Sequence, residues 1–90
     1  MLTEKNFAAA LHEMNFTRLN DNRYEKIFAD KVIMQADLKS KKLFYPAQIQ
    51  NHDRNSSFKD SNENLVVFEC VNRLLDKGYK PQDIWLEKNW

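Results

Sequence analysis

His12, His52, Cys70, Glu69 and Glu87 are side chains of this chain that could ligate, titrate or attack, and their placement restricts what they can do. The two histidines stand far apart, and neither has a Cys or His neighbour at metal-ligand spacing. Zinc therefore lacks a ligand set. A phosphate-cradling loop needs several glycines, and the chain has one. No Ser- or Cys-centred nucleophile motif is visible. His12 falls on the polar side of a first helix and reads as a surface residue. Cys70 lies within an apolar helical run and reads as a buried, inert thiol with no partner for an internal disulfide.

The carboxylates carry more. Glu69 has Arg73 four residues on, the spacing of a helical ion pair worth roughly 0.3 kcal/mol. The alternative role is an acid on a helix beside a sheet that helps hold a divalent metal. Glu87, on a terminal strand, could serve Mg²⁺ in the same way, since Mg²⁺ prefers carboxylate oxygen and water. The loop Asn51-His52-Asp53-Arg54-Asn55-Ser56-Ser57 could meet a phosphate through Arg54 and its hydroxyls. Lys39, Lys41 and Lys42 cluster just before it. Residues 31–59 hold six basic and two acidic side chains, against a net charge of +1 for the whole chain. The middle third is thus the candidate for contact with DNA, although it is far from the dense Lys/Arg clustering of a dedicated nucleic-acid domain.

Ninety residues allow one domain, with a thin stability margin. An apolar content of 42% against 30% charged residues is that of a globular chain. No apolar run reaches the ~18 residues of a membrane span, and no leader pattern opens the chain. The reading is a cytoplasmic protein without a membrane partner.

The expected fold is α+β: an N-terminal helix, a three-stranded antiparallel meander, a long loop, a buried helix and a final short strand. Thr3 can cap the first helix, with Phe7, Ala10, Leu11 and Met14 on one face. Tyr24 to Ala29, Val32 to Leu38 and Leu43-Phe44-Tyr45 have strand character. The second of these alternates cleanly, Val32, Met34, Ala36 and Leu38 against Ile33, Gln35 and Asp37. Ala47 to Lys59 is polar and reads as a loop. Asp60 or Ser61, with Glu63, signals the start of the second helix. Its apolar residues Leu65, Val67, Phe68, Cys70, Val71, Leu74 and Leu75 leave a polar strip of Glu69, Asn72, Arg73 and Asp76. Gly78 and Pro81 stop it. Ile84 to Glu87 forms the last strand, and Trp85 and Trp90 read as packing groups.

Leu43-Phe44-Tyr45-Pro46, the loop with Arg54-Asn55-Ser56-Ser57-Phe58, and the run from Glu63 through Val67-Phe68-Glu69-Cys70 to Gly78-Tyr79-Lys80-Pro81 together resemble the N-terminal region of bacterial type I restriction–modification enzymes. The likeness is to restriction subunits and to chains in which a nuclease-like segment precedes an adenine N6-methyltransferase. It runs from about Tyr24 onward and is strongest from Glu63 to Glu87. It implies a segment leading into a nuclease domain whose Asp and Glu-x-Lys, on adjacent strands, bind Mg²⁺ and activate water for phosphodiester cleavage. Glu69 would match that family's first-helix acid and Glu87 an early-strand position, both loosely, as support for a metal site. No Asp followed by Glu-x-Lys in that arrangement occurs here, so the ninety residues read as an inactive part of a larger chain. The implied partners are DNA and the remaining parts or subunits of the restriction system. The alternative is a small, non-catalytic protein-interaction domain.

Overall fold

The computed structural model describes residues 3–29, 31–51, 55–59 and 62–86. Among them the chain forms α1 (Phe7–Glu13), β1 (Thr17–Arg18), β2 (Arg23–Ile27), β3 (Ile33–Asp37), β4 (Lys42–Phe44), β5 (Gln50–Asn51), β6 (Asn55–Ser57), α2 (Glu63–Asp76), a 3₁₀ turn (Pro81–Asp83) and β7 (Trp85–Leu86). Strands β1-β2-β3-β4-β6 make one antiparallel sheet in that order. The expected meander is its centre. Two short strands extend it: β1 on one side, and β6, drawn from the expected loop, on the other. The last strand does not join this sheet. β7 pairs in parallel with β5, Gln50 opposite Trp85 and Asn51 opposite Leu86.

Alternation along β2, β3 and β4 gives the sheet two unlike faces. Tyr24, Ala36 and Leu43 stand in one cross-strand row, with Lys26 opposite Met34 beside it. Met34, Ala36 and Leu43 on this inner face are fully buried. They share one core with Phe7 and Leu11 of α1 and Leu65, Phe68, Val71 and Leu75 of α2. Phe68 is the centre of an aromatic cluster. Its ring lies 6.0 Å from Phe7, 5.5 Å from Phe16 and 5.7 Å from Tyr45, and Phe7 in turn lies 5.1 Å from Phe58. Tilted and edge-on pairs of this kind add about 0.5–1.5 kcal/mol each beyond the area they bury.

One inner-face residue is a cation. The Lys26 side chain is 10% exposed. Its ammonium donates to the Met14 carbonyl at 2.8 Å, to Asn72 Oδ1 at 2.7 Å and to both oxygens of Asp76 at 2.9 Å. It also lies 4.8 Å from the Phe28 ring centroid. A buried ammonium is tolerated only when its donors are satisfied, and here they are. The contact ties the end of α1, strand β2 and the last turns of α2 together.

That contact corrects the expected orientation of α2. Asn72, assigned to the polar strip, is 5% exposed, while Cys70, assigned to the core, is exposed. The buried stripe runs through Leu65, Phe68, Asn72 and Leu75, and Val66, Cys70 and Arg73 face outward. Lys26 needs oxygen acceptors from the helix above it, and the helix turns to supply them. The C-terminal stop is as expected. Gly78 has φ +93°, Tyr79 N–H donates to the Leu74 carbonyl, and Gly78 N–H donates to that of Leu75. These two bonds are the paired closure of a Schellman motif. At the other end Asn62 is the N-cap residue; Asp60 and Ser61 lie outside the described residues. Thr3 does not cap α1. Its backbone N–H donates to Asn6 Oδ1, and the helix begins after Asn6. No described helix is long and apolar enough to cross a membrane.

Candidate nucleic-acid interface

The β3–β4 turn gathers the lysines. Asp37, the last residue of β3, organises it: Oδ1 accepts the backbone N–H groups of Lys39 at 3.0 Å and Ser40 at 3.1 Å. Oδ2 accepts from Arg23 Nη1 at 3.0 Å. The Ser40 N–H is the largest influence holding the Asp37 carboxyl below its usual range; partial burial opposes it, and the Lys39 N–H and the Arg23 guanidinium reinforce it. Asp37 thus stays ionised and fixes the turn. Lys41 closes the turn at φ +57°, a left-handed conformation that costs a non-glycine residue some strain.

Of the residues expected to meet DNA, Lys39 and Lys42 are exposed at this end of the sheet. Lys42 stands opposite Asp37 on the outer face. Lys41 is drawn the other way, into an ion pair with Glu4 at 2.6 Å. Its charge is therefore partly neutralised, a pairing across the chain that sequence spacing does not reveal. The carbonyl of Lys41 accepts the N–H of Phe58, which brings the exposed Lys59 to the same end of the molecule. Lys59 was not among the expected contacts; the polar reading of 47–59 as a loop hid its attachment to β4. Arg54 lies outside the described residues.

Of the two acids expected to support a metal, Glu69 alone is among the described residues. Glu69 sits half-buried on α2, with Arg73 Nη2 3.5 Å from its Oε1. Glu87 lies outside the described residues. No group of three His, Cys, Asp or Glu side chains capable of holding a metal occurs among the described residues. Mg²⁺ asks for convergent carboxylate oxygens, and Glu69 offers one carboxylate already facing a guanidinium. The described residues therefore form no Mg²⁺ site of their own, and the site that the restriction-enzyme likeness implies would lie outside this chain.

The outer face beyond the lysines is a polar ladder. Arg23 donates to Asp37 and to Gln35 Oε1, and Gln35 Nε2 donates to Glu25 at 2.7 Å. The Arg23 guanidinium lies 4.9 Å from the Phe44 ring centroid. Each side chain of this ladder has a partner, which holds Arg23 and Phe44 in place. Set against known proteins, the chain matches no protein family, no curated protein and no solved structure.

Proposed function

We propose that this chain is an N-terminal segment of a bacterial type I restriction–modification enzyme, working in the cytoplasm. It helps build the nuclease region and touches DNA through the β3–β4 end of its sheet. Mg²⁺-dependent phosphodiester cleavage belongs to residues outside these ninety. The structural observation that supports this reading is the exposed pair Lys39 and Lys42 at a turn pinned by Asp37, with Lys59 alongside. Point charges held at a fixed end of a sheet suit contact with phosphate oxygens rather than readout of bases. The run from Glu63 to Glu87 supplies the likeness to the family.

The test is the natural gene product. It is expected to carry an Asp and a Glu-x-Lys on neighbouring strands after Trp90, and replacing either acid is expected to abolish Mg²⁺-dependent DNA cleavage. A natural product without them sinks the enzyme reading.

One observation favours the protein-interaction alternative. Val66, 40% exposed, and Cys70 one turn later form an apolar ridge on the outer side of α2, and Tyr79 is 57% exposed beyond it. Single exposed apolar side chains are ordinary, so the ridge weighs less than the lysine end.

A further inference from the structure

The outer face of the sheet also carries a cleft of about 300 Å³. Ile33, Phe44 and Pro46 give it apolar walls, Gln48 lines it from the segment after β4, and Lys31 stands at its rim. Three features make it more than a surface dent. Phe44 is clamped, since the Arg23 guanidinium beside its ring is itself bonded to Asp37 and Gln35. Gln48 Oε1 is buried without a hydrogen-bond partner, the one such side-chain atom among the described residues. An acceptor left so carries a desolvation penalty, which a bound donor would offset. The terminal torsion of a glutamine is soft, so rotation brings its oxygen toward the cleft or, after about half a turn, its amide N–H. Finally, Lys31 is exposed and forms no ion pair with a described residue.

A flat apolar wall, an amide able to accept or donate, and an exposed ammonium at the rim call for a planar heteroaromatic group bearing polar edges and an attached anion. We propose that this cleft binds a nucleotide, its base against Phe44, its edge on Gln48 and its phosphate toward Lys31. The volume is at the lower end for a small-molecule site and suits one nucleotide rather than a dinucleotide. Stacking on a protein aromatic ring is tolerant of base identity. The nucleotide is either free or part of an unpaired strand; the second source rests on the DNA-contact reading above, while the chemistry of the cleft does not.

The experiment is an amide-resolved NMR titration of the ninety-residue chain with deoxyadenosine monophosphate, deoxyadenosine, a short single-stranded oligo(dA) and a duplex. At about 10 mM the mononucleotide populates a site of millimolar affinity. It is expected to shift the Gln48 side-chain amide and the backbone amides of Ile33 and Phe44. Lys31→Ala is expected to weaken the mononucleotide about three- to fivefold and leave deoxyadenosine unchanged. Phe44→Leu is expected to weaken both about fivefold or more. If Phe44→Leu fails to fold, the Lys31→Ala comparison decides alone, because Lys31 is exposed. No shift at these residues, or shifts that neither variant alters, overturns the proposal. Tighter binding of oligo(dA) than of the mononucleotide assigns the site to an unpaired strand; equal binding assigns it to free nucleotides. Duplex binding is read separately at Lys39 and Lys42, so a failure there counts against the proposed function and not against the cleft.

Discussion

Strand β2 places two cations three residues apart on opposite faces of one sheet, and their surroundings are unlike. Lys26 points inward, with its donors spent on a carbonyl, an amide oxygen and a carboxylate from two helices. Arg23 points outward, shared between Asp37, Gln35 and the Phe44 ring, and stays about a third exposed. The inner cation joins layers that the hydrophobic core alone would leave free to shift. The outer one rigidifies a surface. The same charge thus specifies the fold on one face and fixes the surface side chains on the other.

The comparison is broken most severely from the inner side. Phe68→Ala removes the ring that touches Phe7, Phe16 and Tyr45 and should cost about 3–5 kcal/mol. For a domain of this size that is a large share of the total, and urea denaturation should show a chain partly unfolded in buffer. Lys26→Met keeps the length of the side chain but strands the buried Asn72 oxygen, and should cost about 2–3 kcal/mol. Adding Asn72→Leu should recover part of that loss in the same assay. A double variant no better than the single one would mean that the amide is satisfied without Lys26.

These inner-face effects were the least legible in the sequence. The alternation of Val32 to Leu38 identifies β3 and its two faces correctly, because every inward residue there is apolar. In β2 the inward position is a lysine, so hydropathy points it to solvent; only its partners, 46 to 50 residues away, show otherwise. The same blindness rotated α2 in the sequence reading, putting Cys70 inside and Asn72 outside. β6 was missed for a different reason. Asn55-Ser56-Ser57 has little strand preference of its own and becomes a strand by pairing with β4. Of the candidate interface, the lysine cluster was legible, whereas the pairing of Lys41 with Glu4 and the nearness of Lys59 depend on contacts across the chain. Glu69 was correctly paired with Arg73 by spacing alone.

Smaller effects sharpen the outer side. Arg23→Ala loses partly exposed bonds and a ring contact and should cost only about 0.5–1 kcal/mol. The same denaturation series then gives the contrast with Lys26 directly. Gly78→Ala should cost about 1 kcal/mol through backbone strain alone, since an added Cβ meets nothing within 4 Å. The smallest effect is tied to pH. The folded carboxyl of Asp37 titrates below its unfolded value near 3.9, so its contribution is present above about pH 4 and is lost as pH falls through the folded value. Asp37→Asn should therefore lower stability slightly at neutral pH and leave it unchanged well below the folded value, which flattens the acid limb of a stability–pH profile. An unchanged acid limb would show that the Ser40 and Lys39 N–H bonds do not hold in solution.

The most direct test of DNA contact at the lysine end is fluorescence anisotropy of a labelled duplex of roughly 20 base pairs titrated with this chain. With two or three phosphate contacts, affinity should fall about tenfold or more between roughly 50 and 200 mM salt. The double substitution Lys39→Ala/Lys42→Ala should remove most of the low-salt binding and the salt dependence with it. Absence of binding at low salt, or binding that the double variant leaves intact, contradicts the account.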